Sequence, residues 1–245
     1  MKKVAVINFS GNVGKSSIAR YLLAPRMGCE VISVESINDA GSTSKSKATI
    51  RGKEIDELRD YLLTSESLVV DIGASNVEEF MKGLSEFSDG LDDFDSFVVP
   101  TVPALKQQED TIETVRSLLD LGIPREKIII IFNQFDKTGG DMSRQYKVIF
   151  NRIVDRNLCD INPGAVVPTH RFFEAFQREE RSFAEVVSDQ KDYRKLIGET
   201  DDDEQKSVYV RKIGIKSLAM GVQKELDKTY TAISGEVVEV DTAVA

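Results

Sequence analysis

Residues 4–17 read Val4-Ala5-Val6-Ile7-Asn8-Phe9-Ser10-Gly11-Asn12-Val13-Gly14-Lys15-Ser16-Ser17, an apolar run followed by a glycine-bearing loop. The apolar run predicts a buried strand, and the segment after the loop predicts a helix. A loop in this position suits phosphate, because its backbone N–H groups can approach the anion and the helix N-terminus favours negative charge. The stretch therefore predicts a nucleotide-binding loop within an α/β fold.

The residues of this loop have distinct predicted roles. Lys15 would neutralise the β and γ phosphates, and the hydroxyl of Ser16 would coordinate Mg²⁺. The loop departs from the G-x-x-x-x-G-K-[ST] pattern because Phe9 replaces its first glycine. The alternative is a strand-to-helix turn with an exposed lysine. The backbone groups predicted to contact the nucleotide are those of Gly11, Asn12, Val13, Gly14, Lys15, Ser16 and Ser17.

A second apolar run ends in an acid, in the stretch Leu68-Val69-Val70-Asp71-Ile72-Gly73. A carboxylate at such a strand end can hold a Mg²⁺-bound water, so Asp71 is a predicted metal and catalytic residue. Gly73 lets the backbone come near the γ-phosphate, where its amide could sense that group. The alternative for Asp71 is a helix N-cap or a loop acid.

Other predicted strand ends carry candidate site residues. Glu35, Asn38 and Asp39 lie at the end of the second strand and in the loop after it, and any of them could orient the attacking water or the metal. Asn133 would pair with adenine, and Pro168 would form a second wall for the base. A guanine site of the N-K-x-D type would require lysine where Gln134 stands, so ATP is favoured over GTP.

Short apolar runs alternate with longer amphipathic segments along the chain, which is typical of a parallel sheet covered by helices on both faces. We expect an α/β fold and a single domain over residues 1–233. A helix over 208–233 would pack on that domain, and residues 234–245 would form a flexible tail. A helix over Ser16–Leu23 would stop before Pro25. The predicted strands are Val4–Asn8, Val31–Glu35, Leu68–Asp71, Ser96–Pro100, Lys127–Asn133 and Ala165–Pro168.

Composition narrows the function classes. The 245 residues carry a formal net charge of −9, so the molecule as a whole repels nucleic acid and anionic lipid. The two cysteines lack metal-site spacing and are consistent with a reducing compartment. No apolar run approaches the roughly 20 residues that span a bilayer. A cytoplasmic protein is expected.

These motifs together resemble the ParA/MinD family of P-loop ATPases over roughly the first 170 residues, with Lys15, Ser16, Asp71 and Asn133 at family positions. The opening stretch also resembles that of plasmid-stability proteins. The resemblance implies binding of ATP and Mg²⁺ and a homodimer formed face to face around two nucleotides. It further implies a role in segregating or positioning plasmid DNA through a DNA-binding partner protein.

Two departures from the family concern catalysis. The family loop reads K-G-G-x-G-K-[ST], and its first lysine reaches the partner's phosphates, but here Ser10 holds that place. A serine can donate a hydrogen bond but supplies no positive charge to the transition state. The family's second acid after the second strand falls on Ile37 unless the loop shifts to Asp39. Slow hydrolysis is therefore expected.

Several alternatives remain open from the sequence. Weak, sequence-independent contact with DNA would use lysines and arginines on one surface, and each candidate patch is also consistent with ordinary solvated charge. A ligase or kinase of the dethiobiotin-synthetase type would share the architecture, and Lys106 keeps that alternative open. An interaction module without nucleotide and an iron–sulfur ATPase are disfavoured. The two candidate patches are Lys45, Lys47, Arg51 and Lys53, and Lys206, Arg211, Lys212 and Lys216.

Overall fold

The computed structural model describes residues 1–35, 48–51, 55–87, 89–154, 156–177, 179 and 181–235, with the backbone alone at 48–51 and 154. Its centre is a seven-stranded sheet in the order β3-β2-β4-β1-β5-β6-β7, with every neighbouring pair parallel. The strands are β1 (Lys3–Val6), β2 (Val31–Glu35), β3 (Ala48–Arg51), β4 (Leu68–Ile72), β5 (Ser96–Thr101), β6 (Ile128–Phe135) and β7 (Val166–Pro168).

Every residue of β4 and β5 is buried, which requires cover on both faces of the sheet. The predicted three-layer α/β fold is thereby confirmed. Strand β3 was not among the predicted strands. It lies at the edge of the sheet, where one neighbour suffices and the continuous apolar run of a central strand is not needed.

Helices connect the strands. Helix α1 consists of Lys15–Ser17, a π-helical turn over Ile18–Leu23 and a last α-helical turn over Ala24–Met27. A second π-helical turn, Phe150–Val154, follows α6. The remaining helices are α2 (Ile55–Thr64), α3 (Val77–Ser85), α4 (Leu105–Asp120), α5 (Met142–Gln145), α6 (Lys147–Ile149), α7 (Arg171–Phe176), α8 (Phe183–Ser188), α9 (Tyr193–Glu199) and α10 (Asp203–Ser234).

The expected stop before Pro25 is wrong, because α1 continues through this proline to Met27. Proline removes a backbone donor and crowds the preceding turn. Here the π-helical turn shifts the hydrogen-bond ladder, with the N–H of Ala24 bonded to the carbonyl of Ala19. The guanidinium of Arg26 donates to the carbonyls of Tyr21 at 2.8 Å and Leu22 at 3.0 Å. A side chain thus donates to two carbonyls of the turn that precedes this proline.

The chain divides into two compact units. The first contains residues 1–169 together with those from 228 onward, and it holds the whole sheet. Its last turns are fastened to β7, since the Thr229 hydroxyl donates to the carbonyl of Val166 at 2.5 Å. Asn162 likewise donates to the carbonyl of Ala232 at 2.6 Å. The single domain expected over residues 1–233 stays a prediction, and most of the expected tail lies outside the described residues.

The second unit, residues 170–227, is helical and packs around a cluster of phenylalanines. Its predicted basic patch is largely engaged within the unit. Lys206 pairs with Asp203 at 3.5 Å, the Lys212 ammonium lies 5.5 Å from the ring centre of Tyr193, and Lys216 donates to a backbone carbonyl. The other predicted patch lies outside the residues whose side chains are described. The contacts of these three lysines do not favour a phosphate-binding surface on the second unit.

Candidate functional site at the carboxyl edge of the sheet

The candidate site lies where the strand order reverses. Strands β2 to β4 lie on one side of β1, and β5 to β7 lie on the other. In open parallel sheets, ligands bind at the carboxyl edge beside such a reversal. Val6, the last residue of β1, is paired with Asp71 on β4, so the loop after β1 begins next to this acid. The two predicted motifs are therefore adjacent.

The loop after β1 has the backbone geometry of an anion site. Asn12 and Gly14 adopt left-handed conformations, with φ of 57° and 88°. Between them Val13 is fully buried and holds the loop against the core, while Gly11 and Asn12 are exposed. Within the described part of the chain, the N–H groups from Gly11 to Ser17 donate to no backbone carbonyl. They are available to a phosphate chain.

Asn8 fixes the start of the loop. Its buried side-chain amide donates to the Pro100 carbonyl and to the Thr111 hydroxyl, both at 2.9 Å, and its oxygen accepts from the N–H of Ser10 at 2.7 Å. The N–H of Phe9 donates to the Thr114 hydroxyl at 3.1 Å. The loop is thus fastened to β5 and α4 before it reaches the residues predicted to bind phosphate. The sequence analysis assigned no role to Asn8, although a polar residue ending an apolar run was its available signal.

Lys15 is 8% exposed and folds back onto its own loop. Its ammonium donates to the carbonyls of Asn8 at 3.0 Å and Ser10 at 2.6 Å. Burial lowers the pKa of Lys15 to about 8, against the opposing influence of the Asp71 carboxylate. The lysine thus stays at the floor of the loop, where a bound phosphate would compete with the two carbonyls for its protons.

Asp71 is 4% exposed and faces the first turn of α1. Burial raises the pKa of Asp71, while a hydrogen bond with Ser16 and the charges of Arg20 and Lys15 act in the opposite direction. A carboxylate and a hydroxyl are the hard oxygen donors that Mg²⁺ prefers. The two residues predicted to hold the metal are therefore together, and a cation would relieve the cost of the buried charge. Arg20 is a second site residue that the sequence analysis missed.

Ser10, which replaces the family's signature lysine, is 4% exposed. Its carbonyl is taken by Lys15 and its N–H by Asn8. A short side chain at a buried position cannot extend to the nucleotide of another protomer.

Asn133, predicted to read the base, is also bound to the loop. Its side-chain amide donates to the Val13 carbonyl at 2.9 Å, and its side-chain oxygen accepts from the N–H of Gln134 at 2.9 Å. The Tyr146 hydroxyl donates to the backbone carbonyl of Asn133 at 2.7 Å. A Cβ added at Gly14 would overlap the Asn133 amide nitrogen. The strand end and the phosphate loop therefore form one hydrogen-bonded assembly.

The neighbouring residues of β6 bear on the choice of base. Strand β6 shifts register between Asn133 and Phe135, and Gln134 has a positive φ of 59° and points outward. Asp136 accepts from the N–H of Thr138 at 2.8 Å and from its hydroxyl at 2.7 Å. These bonds lower the pKa of Asp136, so the carboxylate caps its own turn. Pro168, the other predicted base contact, ends β7 next to this irregularity.

The remaining candidates lie near the same edge. Glu35 ends β2, half-buried and two residues beyond the Ser33 that pairs with Asp71. Asn38 and Asp39 lie outside the described residues. The turn Ala74–Asn76 contains no basic residue, and Lys106 is exposed and 3.7 Å from Asp110. Neither feature favours the ligase or kinase alternative, which needs groups that recognise a second substrate.

Other sequence-based alternatives also find little support. Burial raises the pKa of the Cys159 thiol to about 11, which makes it a poor metal ligand. Among the described residues no group of three or more metal-ligating side chains comes together. His170 caps α7, its Nδ1 accepting from the N–H of Phe172 at 3.1 Å. No helix in the described ranges is both long and apolar enough to cross a membrane.

Comparison with known proteins supports the architecture. No protein-family model matches the sequence. No curated protein matches it either. Among solved structures, the cell-division protein MinD of Aquifex aeolicus is similar with a TM-score of 0.53 and 12% identity, over 97% of this chain and 98% of that one. The MinC:MinD complex from the same organism matches with a TM-score of 0.52 and 11% identity, over 98% of each chain. A plasmid partition protein of Borrelia burgdorferi bound to AMPPNP has a TM-score of 0.47 and 13% identity, over 87% and 97%. The two matches to MinD show that the chain has the three-layer α/β fold of that protein.

Proposed function

We propose that the protein is an ATP-dependent switch of the ParA/MinD type. The observation that carries the proposal is the buried Lys15 beside Asp71, under a loop whose backbone N–H groups donate to no backbone carbonyl of the described residues. Two opposite charges are held in a desolvated position on the floor of an anion site, and burial disfavours the charged form of each. A polyphosphate with Mg²⁺ would bring a charged partner to each of them.

Each residue of the site then has a task. Backbone N–H groups from Gly11 to Ser17 bind the phosphate oxygens, and Lys15 leaves its carbonyl partners to neutralise them. Ser16 and Asp71 would hold Mg²⁺, which neutralises phosphate charge and fixes the geometry of the nucleotide. Arg20 favours the ionised form of Asp71. Asn133 positions the loop through Val13 on the side where the base would lie.

ATP is favoured over GTP as the ligand. In an N-K-x-D site the lysine and aspartate support guanine, but this chain has the outward-facing Gln134 and an Asp136 already bonded to Thr138. Gln134 stands where that motif has its lysine. Adenine needs no carboxylate partner, so it is consistent with a site at this strand end whose described residues include Asn133 but no free aspartate and no lysine in the motif.

Turnover by the protein alone is expected to be slow. In the ParA/MinD family that the sequence resembles, hydrolysis draws on a lysine from the partner protomer. The buried Ser10 cannot replace the charge of that lysine. Glu35 is the described residue best placed to orient the attacking water, at the carboxyl end of β2. ATP binding rather than rapid hydrolysis would set the state of the switch.

We further propose the cellular role that the opening sequence suggests. That stretch resembles the plasmid-stability protein StbB, and plasmid stability, partition or positioning is the role we assign. The protein would form a homodimer on ATP binding and act in the cytoplasm through a DNA-binding adaptor protein. Its net charge of −9 favours an adaptor over direct contact with DNA.

Calorimetric titration with ATP·Mg²⁺ and with GTP·Mg²⁺ tests the proposal. Wild type should bind ATP more tightly than GTP. Lys15→Ala should lower the affinity for ATP by about 100-fold or more, because about 3 kcal/mol is typical for an electrostatic contact to phosphate in a buried site. Lys106→Ala, which removes an exposed lysine from the same edge of the sheet, is the matched control and should bind like wild type. Absence of ATP binding by wild type would overturn the proposal.

A further inference from the structure

A small hydrogen-bonded cluster joins the ends of β2 and β4 beside the candidate site. The carbonyl of Val34 accepts from the N–H of Gly73 at 2.9 Å and from the side-chain amide of Asn76 at 3.3 Å. The N–H of Asn76 in turn donates to the carbonyl of Gly73 at 2.9 Å. One carbonyl on β2 thus has two donors, both from the turn that follows Asp71.

The cluster is buried and closely packed. Val34 is fully buried, and Asn76 is 2% exposed although its side chain is polar. A Cβ at Gly73 would come within 3.0 Å of the Asn76 amide nitrogen and 3.1 Å of the Val34 oxygen. A side chain at position 73 would require these neighbours to move by a few tenths of an ångström, so the turn is closely fitted around the contact of Asn76 with Val34.

The Gly73 amide carries a single hydrogen and has two competing acceptors in the proposed cycle. It donates to the Val34 carbonyl, and it is also the group expected to sense a γ-phosphate. When the γ-phosphate takes this hydrogen, the buried Val34 oxygen loses its shorter bond. A buried acceptor without a donor is costly, and the Asn76 amide is the donor that remains.

We propose that Asn76 is a positioning residue that sets the preference of the site for nucleoside triphosphate over diphosphate. It acts by keeping the Val34 carbonyl satisfied when Gly73 turns to the γ-phosphate. ADP has no γ-phosphate, so Gly73 stays with Val34 and the Asn76 contact is then redundant. The inference rests on the proposed function, and it assigns to a buried asparagine a role that strand pairing alone does not require.

The test compares the affinities of wild type and Asn76→Ala for AMPPNP·Mg²⁺ and for ADP·Mg²⁺. The variant should bind AMPPNP about five- to tenfold more weakly, the factor that corresponds to one neutral hydrogen bond, and ADP within about twofold of wild type. Glu78→Ala is the matched control, because Glu78 is exposed two residues further on and does not contact Val34. It should leave both affinities within about twofold.

If Asn76→Ala does not fold, a second variant and a measurement on wild type still test the proposal. Asn76→Asp keeps the size but replaces the donor with an oxygen, and it should lower AMPPNP affinity at least as much. In wild type, the backbone amide resonance of Gly73 should shift when AMPPNP is added. With ADP it should stay near its position in the ligand-free sample.

The outcomes separate this inference from the proposed function. If wild type binds neither nucleotide, the proposed function fails. If wild type binds both and the Asn76 variants weaken both to the same extent, or weaken neither, the positioning role is wrong while the switch stands. A Gly73 resonance that shifts equally with AMPPNP and ADP would also overturn it.

Discussion

Substituting Gly14 with alanine should damage the phosphate loop in two separable ways. Gly14 has a φ of 88°, and a left-handed conformation costs an L-residue about 1–2 kcal/mol. The new Cβ would also overlap the amide nitrogen of Asn133 and come within 3.4 Å of its Cγ. Asn133 would have to leave the buried Val13 carbonyl, which costs about 1–3 kcal/mol more. The free energy of unfolding should therefore fall by about 2–5 kcal/mol in total.

A double-mutant cycle separates the two effects. Asn133→Ala alone should cost about 1–3 kcal/mol, because Val13 loses its donor and Gln134 its acceptor. In the double variant no amide remains for the Cβ to displace, so only the backbone strain is added. The combined loss should therefore fall short of the sum of the single losses by about 1–3 kcal/mol.

Urea unfolding of the four proteins provides the measurement, with ATP affinity as a second readout. Gly11→Ala is the matched control, since a Cβ there meets no atom within 4 Å and the residue has no positive φ. It should change the free energy of unfolding by less than about 0.5 kcal/mol. Additive single losses would refute the reasoning that Asn133 and the loop are coupled through this contact.

Two more predictions concern the buried charges. Because burial lowers the pKa of Lys15 from 10.5 to about 8, the folded protein releases this proton at a lower pH than the unfolded chain, and stability should rise between about pH 8 and 10.5. Urea unfolding should show this rise for wild type relative to Lys15→Met, and parallel pH profiles would contradict it. Burial raises the pKa of Asp71, so its contribution to stability is present at low pH and lost as pH rises through the folded-state pKa. Asp71→Asn should therefore melt at a higher temperature than wild type at pH 7, while its ATP affinity no longer responds to Mg²⁺; a lower melting temperature or retained Mg²⁺ dependence would count against this account.

The sheet could be predicted because its central strands are apolar at nearly every position. Leu68–Ile72 is covered on both faces, so burial leaves an apolar run that only Asp71 interrupts. The loop after β1 could be predicted because Gly14, Lys15 and Ser16 are residues that a phosphate site would require at that spacing. In both cases the physical demand falls on consecutive residues.

Features that depend on distant partners could not be predicted in this way. Asn133 was placed at the correct strand end, but its bond to Val13 joins residues 120 positions apart. Asn8 and Asn76 owe their roles to carbonyls on other strands. The continuation of α1 through Pro25 is accompanied by hydrogen bonds from the Arg26 guanidinium, a side-chain contribution that a rule about proline does not include.

The first compact unit is built from both ends of the chain, since the turns from 228 onward bond to the strand β7 and to the segment before it. During synthesis on a ribosome, β7 emerges some sixty residues ahead of the helical turns that fasten to it, a delay of about 3–12 s at ordinary elongation rates. Throughout this interval the Val166 carbonyl lacks the donor that Thr229 later supplies. Chaperone binding should therefore concentrate on nascent chains between these two lengths, and it should cease once Thr229 and Ala232 have left the exit tunnel.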